Sequence, residues 1–166
     1  SVKTDIFVHT HNNFLDDKNL KAQIINHKIS ETNLEKGHLT WLTRPLMEKQ
    51  KDDYEYFMYL EHDIRFSEEN FQYLVKYQDY LSEKKFNLGF LVYERNHNDS
   101  KKYCIHLSKK LKNFINIGSK KFFINDFENY CCFWIYNKEI FKSFIKTEWW
   151  LFKKKPYNFR HYYGTT

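Results

Sequence analysis

A run of apolar residues, Tyr56-Phe57-Met58-Tyr59-Leu60, passes without interruption into Glu61-His62-Asp63 and, a few positions on, into Ser67-Glu68-Glu69-Asn70. Five apolar side chains in a row, three of them aromatic, describe a strand buried on both faces, which belongs in the interior of a main sheet. Ser67 carries a side-chain oxygen able to accept one of the free amides at a helix start, and Phe71, Leu74, Val75 and Leu81 recur behind it at helical spacing. Strand, acidic turn and helix in this order tie the chain to the α/β class, and the remaining segments must fit around that unit.

Residues 5–10, Asp-Ile-Phe-Val-His-Thr, form a second apolar, β-branched run that closes on polar residues and the turn-prone Asn12-Asn13. Residues 20–29 are predicted as a helix with Leu20, Ile24 and Ile25 on one side, and residues 30–37 as a loop. Residues 39–51 have helical composition, but Pro45 lacks a backbone donor and belongs in a first turn starting near Thr43, which leaves Thr40 and Trp41 outside the helix. Further on, residues 87–93 read as a strand, 103–124 as a meander of short strands, and 130–136 as a strand with an aromatic face. A helix starting at Asn137 or Lys138 carries Ile140, Phe141, Phe144 and Ile145, and the aromatic, basic tail 149–166 is broken by Pro156.

No repeat, linker or low-complexity tract separates these parts, so residues 1–166 read as a single domain. The expected architecture is a mixed, partly parallel sheet flanked by helices. In such sheets ligands bind beyond the carboxyl ends of the strands, which draws attention to the polar clusters at residues 9–13 and 61–63. The chain opens on Ser1 without an initiator Met and enters a strand almost at once, so an upstream strand is expected to be missing from it.

Charge narrows the partners. Lys and Arg number 27 against 21 Asp and Glu, and the net +6 favours anionic partners such as nucleotides, acidic glycans or a lipid surface. The same excess also follows from base composition, since Lys, Asn, Phe, Tyr and Ile dominate and Ala22 is the one alanine. Nothing resembles a signal peptide or a run of eighteen apolar residues, and Cys104, Cys131 and Cys132 form no disulfide framework. A soluble, cytoplasmic chain with peripheral membrane contact is the expectation.

Glu61 and Asp63 lie two residues apart, so in extended backbone their side chains share one face with Cα atoms about 6–7 Å apart. Two such carboxylates reach one hard cation, and Mg²⁺ or Mn²⁺ held by one or two carboxylates accepts substrate phosphates as its remaining ligands. The same pair also serves as an ordinary solvated strand end. The guanidinium of Arg44 can fork onto a pyrophosphate, and Trp41 can stack on a base or sugar or lie in a core. Asp126 and Glu128 form a second acid-x-acid pair, either a polar turn or a group that orients an acceptor hydroxyl. Glu148 with Trp149 and Trp150 can line a sugar site or form a small satellite core.

The segment from Tyr56 to Ile64 resembles the apolar strand and D-x-D-type motif of metal-dependent glycosyltransferases with the GT-A fold, with Glu61 and Asp63 on the two ligand positions and His62 between them. Residues 5–13 are similar to the early strand and its nucleotide-facing end, residues 39–44 to the segment lying against the donor, and residues 129–141 to the acceptor-side strand and helix. The resemblance implies a GT-A-like fold lacking its first strand. It also implies a Mn²⁺ or Mg²⁺ cofactor at Glu61 and Asp63, and a nucleotide-sugar donor near Thr10, Asn12, Trp41, Arg44 and His62. A glycan or lipid-linked acceptor would then lie near Asp126, Glu128 and Trp134. This chain carries Glu rather than Asp at the first ligand position.

Two other classes compete. His9-Thr10-His11 puts two imidazoles on one strand face, as strand-borne metal hydrolase sites do. His38, His62, His97, His106 and His161 are however scattered, and the chain is too short for an eight-stranded barrel. A basic chain with 20% aromatics also suits nucleic acid, but the lysine clusters at 109–112 and 153–155 are short and no nucleic-acid-binding signature is present. No nucleic-acid partner is expected.

Overall fold

The computed structural model describes residues 2–12, 21–35, 37–96, 98–104, 107, 109–126 and 133–151. Along them run β1 (Phe7–Thr10), β2 (Gln23–Asn26), α1 (Glu31–Glu35), a 3-10 helix (His38–Thr43), α2 (Arg44–Lys49), β3 (Tyr56–Leu60) and α3 (Glu68–Glu83). Then come β4 (Tyr93–Arg95), β5 (Lys102–Cys104), β6 (Phe114–Ile117), β7 (Lys120–Phe123), β8 (Phe133–Asn137), α4 (Lys138–Phe144) and α5 (Glu148–Leu151). The class is mixed α/β, as expected. Among the described residues no helix is long and apolar enough to cross a membrane.

The single main sheet of the sequence reading is not what forms. Among the described residues the strands pair two by two: β1 with β2, β3 with β8, β4 with β5, and β6 with β7. Among these pairs β1–β2 is parallel, while β4–β5 and β6–β7 are antiparallel hairpins. The backbone amide of Lys138, just past β8, donates to the carbonyl of Glu55, just before β3, so these two strands also run antiparallel. Every residue of β4 and β5 is exposed. Strands of that kind cannot enter a parallel sheet, whose two faces both need covering.

Three local expectations are corrected. The helix predicted for 20–29 is instead β2, because Gln23 to Asn26 pair in parallel with Phe7 to Thr10, and pairing overrides a short helical periodicity. The loop predicted for 30–37 contains α1, which starts where the Ser30 carbonyl accepts from the amides of Asn33 and Leu34 and is followed by Gly37 in the left-handed region at φ 72°. Of the strand predicted for 87–93 only Tyr93 is in a strand, β4, because the amide of Leu88 is taken by the side chain of Gln78 at 3.0 Å rather than by a neighbouring strand. Thr40 and Trp41, expected outside any helix, lie in the 3-10 segment. Pro45 does sit in the first turn of α2, with Thr43 at its N-cap.

The chain divides into two compact units, Ser1–Phe57 with Tyr136–Thr166, and Met58–Ile135. The division falls within β3 and β8. In the first unit Phe57, Phe141, Ile145 and Trp150 are buried. Phe57 stacks on Phe141 at 4.1 Å between ring centroids, and Trp150 meets Phe141 and Phe144 edge-on at 5.5 Å each. Each such side chain contributes about 1.5–3 kcal/mol by leaving water. Asn137 ends β8 and starts α4 in one residue, its side chain accepting from the amide of Ile140 at 2.9 Å.

In the second unit α3 buries Leu74, Tyr77, Gln78 and Leu81, the spacing of one helix face. Val75, assigned to that face from sequence, is instead exposed. Ser67 and Asn70 form a capping box at its start. At its end the amide of Phe86 donates to Leu81 and that of Lys85 to Ser82, with Lys85 at φ 62°, which is a Schellman motif with a lysine where glycine is usual. Phe122 of β7 packs on Tyr73 and Tyr77, and Phe90 packs on Phe66 and Phe133. Gly118, at φ 56°, opens the two-residue turn between β6 and β7.

Candidate functional site

The acidic segment stands where the sequence placed its secondary structure. Strand β3 ends at Leu60, the amide of Ile64 donates to the carbonyl of Glu61 at 3.1 Å to close a turn, and α3 begins after Ser67. This turn changes one expectation. Residues 62 and 63 are not extended, so the period-two argument that put both carboxylates on one strand face does not apply to Asp63. Glu61 is half-buried, while His62 and Asp63 are exposed. Among the described residues Asp63 makes no hydrogen bond or ion pair, and the Ser67 helix is capped without it. An aspartate left this way is not spent on holding the turn or the helix.

Register places one aromatic of the sequence-predicted site beside this segment. Tyr59 and Trp134 stand on the paired strands β3 and β8, and their rings lie 6.3 Å apart and 21° from parallel. Tyr59 is two residues before Glu61, so the half-buried Trp134 sits one step along the strand from the acidic turn. Asp126 is exposed just after β7, and Glu128 lies outside the described residues.

The other sequence-predicted residues belong to the first unit. Thr10, buried at the end of β1, accepts from the amide of Asn12 at 3.2 Å, and the carbonyl of Asn12 accepts from the side chain of Asn26 at 3.3 Å. Trp41 and Arg44 come together, with the guanidinium 3.7 Å from the Trp41 ring centroid and 5.0 Å from that of Trp150. The Nη1 of Arg44 donates to the carbonyls of Trp149 at 3.1 Å and Trp150 at 2.8 Å. Those carbonyls lie in α5, where the helix dipole leaves partial negative charge, so Arg44 works here as a helix C-cap held between two indoles. Burial lowers its pKa from the ordinary guanidinium value. Glu48 completes the cluster by accepting from the indole N–H of Trp150 at 3.1 Å. Of the two readings open for Glu148, Trp149 and Trp150, the contacts of Trp150 are those of a satellite core.

The sequence reading missed His27. Its Nε2 stands 2.8 Å from Nδ1 of His9, and the ring centroids are 5.1 Å apart with planes 13° from parallel. That centroid separation equals the N···N distance plus one ring radius from each imidazole, so the two rings lie end to end in nearly one plane. Burial first, and the neighbouring His27 second, lower the pKa of His9. The signal was present in the sequence, since His27 follows β2 as His11 follows β1, but it is visible only once residues 23–26 are read as a strand. His11 and His27 border an open depression of about 710 Å³ with Asn26, Lys28, Ile29 and Ser30. A smaller one of about 360 Å³ lies among Glu48, Lys51, Asp52, Lys142, Ile145 and Lys146. Neither includes the acidic turn, although a ligand was expected beyond the carboxyl end of that strand.

Among the described residues no group of three or more His, Cys, Asp or Glu side chains is arranged to hold a metal. No protein family, curated protein or solved structure matches the chain.

Proposed function

We propose that the chain is a metal-dependent glycosyltransferase domain of GT-A type, moving a sugar from a nucleotide-diphosphate donor to the hydroxyl of a glycan or lipid-linked acceptor. The observation that carries this reading is Asp63, an exposed aspartate with no partner among the described residues, in a turn between an apolar strand and a capped helix. A carboxylate with no structural task is available to a cation.

Carboxylate oxygens suit a hard divalent ion. Asp63 and, directly or through water, Glu61 supply oxygen ligands, and a pyrophosphate would complete the coordination that two carboxylates leave open. Mn²⁺ or Mg²⁺, when bound, would neutralise charge on the diphosphate leaving group. Asp63 and the half-buried Glu61 would supply the carboxylates, and His62 would offer a ring N–H to the phosphates. Trp134, stacked on Tyr59, offers an aromatic face of the kind that sugars pack on. Trp41 and Arg44, expected at the donor, hold each other and α5.

The test is a thermal-shift panel of nucleoside diphosphates and nucleotide-sugars with and without Mn²⁺. A ligand that binds only the native state raises its stability, so the expected result is a rise in melting temperature that needs both Mn²⁺ and one diphosphate. Flat melting curves across the whole panel would overturn the proposal.

A further inference from the structure

We propose that His9 and His27 form a two-imidazole site for a late first-row divalent cation, Zn²⁺ being the ion tested, separate from the carboxylate site of the acidic turn. Nδ1 of His9 and Nε2 of His27 face each other at 2.8 Å, and the coplanar, end-to-end rings aim both in-plane lone-pair directions at the same point. Two neutral imidazoles can hold this contact only by sharing one proton between the two nitrogens. A cation of suitable softness takes the place of that proton.

The required movement is small. With Zn–N distances of about 2.1 Å and a tetrahedral angle, the two nitrogens would stand about 3.4 Å apart, so they part by roughly half an ångström while each ring turns about 35° off the line they now share. Both residues are half-buried at the end of the parallel pair β1–β2. The position of His27 is fixed by its amide donating to the carbonyl of Thr10 at 2.7 Å. The backbone therefore holds the pair in register while side-chain torsions open it. The open depression bordered by His27 and His11 leaves the remaining coordination positions to water or to an incoming ligand.

The proton count closes without a co-reactant. In the metal-free pair one ring carries its N–H at the shared nitrogen and the other at its outer nitrogen. On metal binding the first ring moves its N–H to the outer nitrogen, so both shared nitrogens become ligands and no net proton is released. Imidazole suits Zn²⁺ and Cu²⁺, while Mn²⁺ prefers oxygen, so Mn²⁺ favours the carboxylates over the imidazole pair.

The experiment is isothermal titration of the full chain with ZnCl₂ above the ordinary histidine pKa, comparing wild type with His9→Gln, His27→Gln and Asp63→Asn. Glutamine keeps hydrogen-bonding capacity and removes the imidazole ligand. Wild type and Asp63→Asn are expected to bind Zn²⁺ alike, and each histidine variant at least about tenfold more weakly. Equal binding in either histidine variant, or no Zn²⁺ binding by wild type, overturns the site. Should a histidine variant fail to fold, electron paramagnetic resonance of Cu²⁺ on wild type replaces the comparison: coupling to two imidazole nitrogens is expected, and coupling to fewer overturns it. Loss of Mn²⁺-dependent nucleotide binding would leave this result untouched.

Discussion

His9 connects sequence, geometry and pH in one residue. Burial and its neighbour His27 hold its pKa below the ordinary value, so the folded state binds fewer protons at this site than the unfolded chain. Its contribution to stability is therefore complete above the unfolded histidine pKa of about 6.5 and is lost as pH falls from there toward the lowered folded value. The melting temperature of wild type should drop on acidification through that window more than that of His9→Gln. Parallel pH profiles for the two proteins would contradict this. His9 was singled out from sequence for its place at a strand end, but its partner was assigned to His11, two residues along. The actual partner sits on the neighbouring strand, and strand pairing is information that residues 20–29, read alone as a helix, do not carry. Arg44 teaches the same lesson, since its affinity for negative charge was legible but the carbonyls of α5 were not.

Among elements, α3 shows what a sequence can and cannot reveal. Its cap at Ser67 and much of its buried face were legible because capping and 3.6-residue periodicity are local. Gln78 was not, for a glutamine on a helix reads as a solvent-facing residue. In the structure it is 2% exposed, donates to Ser82 and accepts from the amide of Leu88, which turns the segment after the helix back along it. Gln78→Ala leaves that buried amide unsatisfied, at a cost of about 1–3 kcal/mol, measurable by chemical denaturation. A loss below about 0.5 kcal/mol would show that the contact does not hold the returning segment. The other end of the helix offers a gain: Lys85→Gly removes the left-handed strain of a residue with a side chain, worth about 1–2 kcal/mol before the greater chain entropy of glycine is subtracted. A net rise in stability is expected, and a fall would contradict the Schellman assignment. The strands were harder to read. Their alternating apolar and lysine residues identified 103–124 as a meander, but which strand pairs with which depends on contacts distant in sequence, and the expected single sheet became separate pairs.

At the scale of the whole molecule, the sequence placed a strand, an acidic turn and a helix in the right order, and the structure leaves Asp63 unemployed among the described residues. On the proposed function this aspartate holds a metal for a nucleotide diphosphate. The most direct measurement is the Mn²⁺-dependent thermal shift of wild type and Asp63→Asn with the diphosphate that responds best. At a ligand concentration about a hundredfold above Kd, wild type should gain about 2.7 kcal/mol of stability. Asp63→Asn should show none of this gain while its melting temperature without ligand stays at or slightly above that of wild type, since no structural contact is removed. An undiminished Mn²⁺-dependent shift in Asp63→Asn would contradict the metal assignment.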